Sequence, residues 1–284
     1  MVTDRSLEVQ KIGFVGRLRD GAARRKSWLC IGLDPDPSKM PQTVPHSAAG
    51  VVDFCREIIA ATSPRAAAFK LNLAFFEAMG IPGWRALEQV RESVPAGTPV
   101  IADAKIGDIG NSSEAYAKAI FDVLGFDAVT LNPYVGLEAL EPFTDRSGKG
   151  VFVLCKTSNP SARSLQDLPV LGEPMYIKVA RMALEAETAA DVGLVVGGTQ
   201  PESLRAVRAL SEDVVLLIPG VGAQGAKAQD AVGLGANRLG QNALISVSRH
   251  ILYASAGIDF AEAAARSAAA LAAETWLESD VRAV

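Results

Sequence analysis

Short apolar runs and longer amphipathic runs alternate along the chain. The apolar runs are "WLCIGLD" (28–34), "AAFKLN" (67–72), "PVIADAK" (99–105), "DAVTLN" (127–132), "GVFVLCK" (150–156), "VGLVVGG" (192–198), "VVLLIPG" (214–220) and "LISVS" (244–248). Most are continuously apolar rather than alternating, which is how strands read when both faces are covered, as in a parallel sheet. Segments of helical period lie between them. In "AAGVVDFCREIIAAT" (48–62), Val51, Val52, Cys55, Ile58 and Ile59 fall on one face. "GWRALEQVRESV", "SSEAYAKAIFDVL", "PMYIKVARMALEAETAA" (174–190) and "PESLRAVRALS" behave alike, and "IDFAEAAARSAAALAAETWLESD" (258–280) predicts a long alanine-rich helix. A further helix is expected near residues 6–20, ahead of the first strand. Eight strand–helix units in 284 residues predict a single-domain (β/α)8 TIM barrel over 1–284, with an open doubly wound sheet as the alternative. The longest irregular stretch, 157–174, follows strand five on the side where barrel loops build active sites, so an active-site loop is expected there.

Composition narrows the function classes. An apolar fraction of 49% supports one large core. The net charge of −4 is spread along the chain with no basic stripe, which argues against a nucleic-acid partner. Two histidines, His46 and His250, are too few for a histidine-rich metal site. Cys30, Cys55 and Cys155 lack metal-ligand spacing and read as buried thiols of a reducing cytosol. No apolar run is long enough to span a bilayer, and "MVTDRSLEVQKIGF" lacks the apolar core of a secretory signal, so a cytoplasmic location is expected.

The chemistry concentrates at strand ends. In "DAKIGDIGNSSEAY" (103–116), Asp103 and Lys105 share one strand face, and Asp108 follows in the turn before a helix. In a barrel these groups project into the active-site mouth as an acid–base–acid cluster. The plainer reading is an ion pair that seals the barrel end. Asn111 and Ser112 could cap the helix, and the Ser112 hydroxyl could equally contact a ligand. Lys70 ends strand two and Asp34 ends strand one, so three adjacent strands end in charge and predict a shared polar pocket. Near the other end, "IPGVGAQG" (218–225) is a glycine-rich strand end with an amide donor in Gln224, and Ser248 and Arg249 follow strand eight. Loops seven and eight are the usual phosphate site of this fold, although "GVGAQG" alone could be a simple tight turn.

Taken in order, "GLDPDP", "FKLNLAFFE", "DAKIGDIGNSSEAYA", "LNPYVGLEALEPF", "GVFVLCKTSNP", "GLVVGGTQPE" and "IPGVGAQG" closely resemble the orotidine 5′-phosphate decarboxylase family, in its longer bacterial (type 2) subfamily. The resemblance covers almost the whole chain. It implies a homodimeric (β/α)8 barrel with active sites at the subunit interface and no metal or organic cofactor. It implies conversion of orotidine 5′-phosphate to UMP and CO2, the last step of de novo pyrimidine synthesis. By motif match, Lys105 is the proton donor. Lys70, Asp103 and Asp108 complete its charged network, with Asp108 reaching in from the other subunit. Asp34 resembles the ribose-binding aspartate, and Ser158 of "KTSNP" the serine that contacts the pyrimidine. Gln224 and Arg249 match phosphate ligands, and Ser112 a hydroxyl that touches substrate across the dimer.

The D-x-K-x-x-D core is shared with metal-dependent phosphosugar decarboxylases and aldolases of the same barrel group. Those need an acid on strand two to hold magnesium, where this chain has Lys70. A Schiff-base enzyme is disfavoured because two acids around Lys105 favour its protonated form. A non-catalytic nucleotide-binding module is opposed by the completeness of the charged set. Three departures stand out: Ile106 where the subfamily commonly shows arginine, "FKLN" for "FKPN", and "GGTQ" for "GAT" followed by an aromatic. Strand alternation points Ile106 away from Lys105, so its effect is expected on packing or on the dimer surface.

Overall fold

All eight apolar runs form strands, and each pairs in parallel with the next: β1 (Leu29–Leu33), β2 (Ala68–Asn72), β3 (Val100–Ile106), β4 (Ala128–Leu131), β5 (Gly150–Lys156), β6 (Asp191–Val196), β7 (Val215–Ile218) and β8 (Ala243–Val247). The computed structural model describes residues 13–222 and 225–278. Strand β8 returns to β1, with Leu29 opposite Ile245 and Ile31 opposite Val247, which closes the sheet and excludes the open doubly wound alternative.

Closure explains the continuous apolar runs, because each strand serves two cores. The interior layer takes Cys30, Ala68, Ile101, Ala128, Phe152, Val195, Val215 and Leu244. Intervening residues such as Leu29, Phe69, Ala102, Val129 and Val151 pack against the surrounding helices. The interior is plugged from below by Phe14, Leu18 and Ala22 of the helix Phe14–Arg25. Phe14 meets Phe152 edge-on at 5.8 Å. It also lies so close to Gly150 that a Cβ there would fall 2.4 Å from the Phe14 ring, so the plug requires a glycine at the start of β5. The preceding helix thus runs later than the 6–20 expected. The part of that expectation before residue 13 lies outside the described residues.

Above this dry layer the same inward face turns polar. Two residues beyond Ala68, Ile101 and Ala128 stand Lys70, Asp103 and Thr130, as the strand period requires. The barrel therefore has an apolar floor and a charged mouth, and the mouth lies at the carboxyl ends of the strands.

Several helices end earlier than their periodicity suggests. The helix expected over 174–190 covers Met175–Glu185, because Ala186 turns extended and Asp191 starts β6. The one expected over 258–280 covers Phe260–Thr275, and residues 279–280 lie outside the described part. The β4–β5 connection carries only short turns and the helix Glu141–Thr144. The 157–174 loop has more order than irregularity suggested, with a short helix at Arg163–Gln166 and paired segments Pro169–Val170 and Glu173–Pro174. Among the described residues no helix is long and apolar enough to cross a membrane.

Candidate active site

Strand β3 departs from regular pairing where its chemistry begins. Ala102 pairs with Val129 of β4, and the next pair is Ile106 with Leu131. Residues 103–105 thus bulge against the single residue Thr130. Lys105 adopts φ +49°, in the left-handed region that side chains other than glycine rarely occupy. The bulge leaves Asp103 and Lys105 both lining one cavity of about 350 Å3, and leaves Ile106 packed with the outer core, away from Lys105.

That cavity is lined by Lys70, Asp103, Lys105, Thr130 and Ser158, with Leu154, Val195, Leu217 and Pro219 as an apolar wall. The Asp103 carboxylate is its hub. Lys70 Nζ donates to Oδ2 at 2.6 Å, the Lys105 ammonium pairs with Oδ1, and the Thr130 hydroxyl donates to Oδ1 at 3.1 Å. Lys70 is buried, with 6% of its side chain exposed, and Asp34 Oδ1 lies 3.8 Å from its other side. Burial alone would raise the Asp103 carboxyl. The ammoniums of Lys70 and Lys105 outweigh it and hold Asp103 well below the usual carboxylate range. Burial alone would likewise lower Lys70, but Asp103 and Asp34 outweigh it and raise it above an ordinary lysine.

These shifts make a stability prediction. The stabilisation from Asp103 is fully present above the unfolded carboxyl value of about 3.9 and is lost as pH falls toward the lower folded value. That from Lys70 is fully present below the unfolded lysine value of about 10.4 and is lost as pH rises through the higher folded one. Asp103→Asn leaves the buried Lys70 ammonium with Asp34, 3.8 Å away, as its one remaining anionic partner among the described residues, and is expected to destabilise the fold by about 3 kcal/mol near neutral pH. Denaturant unfolding of both proteins from pH 3 to 10 checks this. The gap should be widest between about pH 5 and 9 and shrink in acid; a gap unchanged at pH 3 would refute the coupling.

Ser158 follows β5 and packs against Gly197, where an added Cβ would lie 3.0 Å from the serine Cβ. The loop beyond it is braced at two neighbouring residues. Gln166 accepts from Thr157 N–H at 2.9 Å, and Asp167 pairs with the buried ammonium of Lys156, which lies 5.6 Å from the Tyr176 ring centroid. Sequence reasoning missed this brace and Thr130. A lone threonine inside the buried run "AVTL" was the available signal for the latter.

Three other expected residues, Asp108, Ser112 and Arg249, do not line the cavity. Asp108 accepts from the N–H of Ile109 at 2.8 Å and, among the described residues, pairs with no ammonium. Ser112 is exposed in the first turn of the helix Gly110–Ala117. The cap position there is Ile109, without a side-chain bond, so Asn111 and Ser112 are not the caps that their residue types allow. Arg249 opens the helix Arg249–Leu252 and lines a separate groove with His250, Tyr253 and Glu274. The loop after β7 approaches that helix, because a Cβ on Gly222 would lie 3.5 Å from His250 Cβ. Gln224 lies outside the described residues.

Comparison with known proteins agrees with this barrel. The profile of the Orotidine 5'-phosphate decarboxylase / HUMPS family matches residues 27–266. A protein named orotidine 5'-phosphate decarboxylase from Roseiflexus sp. (strain RS-1) is 50% identical over 249 residues, 87% of this chain and 91% of that protein. One of the same name from Herpetosiphon aurantiacus is 44% identical over 90% of this chain and 96% of its own length. The solved Leishmania donovani OMP decarboxylase superposes with a TM-score of 0.81 at 38% identity, covering 93% of this chain and 99% of that one. Leishmania donovani UMP synthase superposes with a TM-score of 0.83 at 40% identity, and there the match spans 93% of this chain and only 57% of the other. With a profile match over most of its length, and relatives approaching half identity, the chain belongs to the orotidine 5'-phosphate decarboxylase / HUMPS family.

Proposed function

We propose that this protein decarboxylates orotidine 5′-phosphate to UMP and CO2, the last step of pyrimidine nucleotide synthesis, and does so without a metal. The observation that carries the proposal is the array Lys70–Asp103–Lys105, in which one carboxylate holds two ammoniums at the barrel mouth. Loss of CO2 from C6 of the pyrimidine leaves an electron pair on a carbon with poor delocalisation. An ammonium beside C6 stabilises that pair and then donates its proton, so the C6–C bond is replaced by C6–H and Lys105 is left neutral. Asp103 pairs with the Lys105 ammonium and aims it, and Lys70 holds Asp103 in place from the other carboxylate oxygen. Ser158 contacts the pyrimidine, Asp34 the ribose, and Gln224 and Arg249 the phosphate. Binding energy from the remote phosphate then serves the chemistry by positioning the base.

The metal-dependent reading is opposed by the chemistry of the donors. A dication would need the carboxylates of Asp34 and Asp103, and the Lys70 ammonium stands between them. We further infer a cytoplasmic single-domain chain over residues 1–284 that works as a homodimer, with Asp108 and Ser112 serving the partner's cavity. The exposed side chains of Ile109, Tyr116 and Tyr134 support the homodimer, as does the lack of an ammonium beside Asp108 among the described residues of its own chain.

A spectroscopic assay with orotidine 5′-phosphate after exhaustive chelation tests the reading. Undiminished turnover is expected. Orotidine without its phosphate should lose a large part of kcat/KM, since the phosphate contacts contribute to transition-state stabilisation. Equal efficiency with orotidine would remove the phosphate assignment, and turnover only with added metal would favour the phosphosugar decarboxylase reading.

A further inference from the structure

We propose that Thr130 is a positioning residue that fixes Lys105 through the backbone of β3 and, with the same hydroxyl, orients the carboxylate that receives the Lys105 ammonium. The proposal rests on Lys105 being the proton donor. Thr130 is buried on β4 and its hydroxyl oxygen makes three hydrogen bonds. It accepts from the N–H groups of Ala104 and Lys105, each at 3.0 Å, and donates to Asp103 Oδ1 at 3.1 Å. A hydroxyl has one donor and two acceptor sites, so its capacity is filled by β3 alone.

The need for those bonds follows from the bulge. Three residues, 103–105, stand opposite Thr130, and the regular ladder resumes only at Ile106 with Leu131. The bulge takes the part-buried Ala104 and Lys105 N–H groups out of regular pairing, and an amide shielded from water without a partner is costly. Lys105 also sits at φ +49°, a conformation that a lysine keeps only when its surroundings impose it. The Thr130 oxygen supplies partners for both amides and thereby holds the turn from which the lysine side chain springs. Its proton goes to the carboxylate oxygen that also takes the Lys105 ammonium. The lysine is thus fixed at its root and at its head by one atom on the neighbouring strand.

The test compares Thr130→Val, which keeps the shape and loses the hydroxyl, with Thr130→Ser, which keeps the hydroxyl. Measured quantities are kcat, KM and the dissociation constant for UMP, well below each protein's unfolding midpoint and with Lys105→Ala as reference. The valine protein should bind UMP yet lose about tenfold to a hundredfold in kcat, the effect of a misplaced catalytic group. The serine protein should recover most of that loss. A role in stability alone predicts normal kcat per UMP-binding site, with losses that track the unfolded fraction. Wild-type kcat in a UMP-binding valine protein overturns the proposal, and so does a serine protein as slow as the valine one. If Thr130→Val does not fold, Thr130→Ala also lacks the hydroxyl and is judged by the same quantities. An inactive Lys105→Ala beside a fully active Thr130→Val would sink the Thr130 role alone, whereas an active Lys105→Ala would remove the proton-donor reading beneath it.

Discussion

Lys105→Ala is expected to bind UMP and fold, yet to lose turnover by about 10,000-fold or more, because in the proposed mechanism it removes both the proton donor and the charge that stabilises the carbanion. Folding should survive for a structural reason. The Lys105 side chain is 49% exposed, and Asp103 keeps Lys70 as its partner at 2.6 Å after the change. Removing Lys70 would instead strand Asp34 and Asp103 in the mouth without their buried cation, so it is the wrong variant for isolating chemistry from stability. The check is a pair of measurements on one preparation: steady-state decarboxylation, and UMP affinity by calorimetry. Near-normal kcat would refute the proton-donor role. Lost UMP binding would mean that the substitution had damaged the site more widely.

The second large effect is expected from a mixture of two inactive proteins. Lys105→Ala and Asp108→Ala are each prepared, combined in equal amounts, and allowed to exchange subunits. If each cavity takes Lys105 from one chain and Asp108 from its partner, random pairing makes about half of the dimers mixed, and each mixed dimer has one intact cavity. Activity should then rise to about one quarter of wild type. The motivation is that Asp108 bonds to its neighbour Ile109 and to no ammonium among the described residues, while Ile109 itself faces outward. Mass spectrometry or a tag on one variant establishes exchange independently. No recovery despite proven exchange would reject the cross-chain role of Asp108 and leave the decarboxylase reading standing.

The strands were legible because a closed parallel sheet imprints itself directly: both faces are covered, so runs such as "GVFVLCK" stay apolar. The alternation of period two also put Lys70 and Asp103 on the inward face. Lys105 followed that face by a different route, since its orientation depends on the bulge opposite Thr130, and no local pattern encodes a register shift between two strands 25 residues apart. Helix ends were less legible. The stretch 174–190 keeps its period past Glu185, but the chain must leave the helix to reach β6, so tertiary connection overrides propensity. The Lys156–Asp167 contact was hidden for a similar reason, as it joins a strand end to a loop residue 11 positions away. Roles for Asp34, Ser158 and Arg249 came from resemblance to a family, since strand-end position alone says that a residue faces the mouth and nothing about what it meets there.

The three cysteines give the barrel a built-in reporter of opening. Cys30 lies on β1, Cys55 on the helix Ala48–Thr62 and Cys155 on β5, all buried. Burial pushes the Cys30 thiol up to about 12 and raises the other two as well, so none is a ready nucleophile while the fold is closed. A thiol reagent can therefore reach them only as fast as the structure breathes or unfolds. Labelling resolved by peptide mapping would convert this into a stability map. One shared rate for Cys30, Cys55 and Cys155 means that the barrel opens as a unit, and three separate rates rank which wall loosens first.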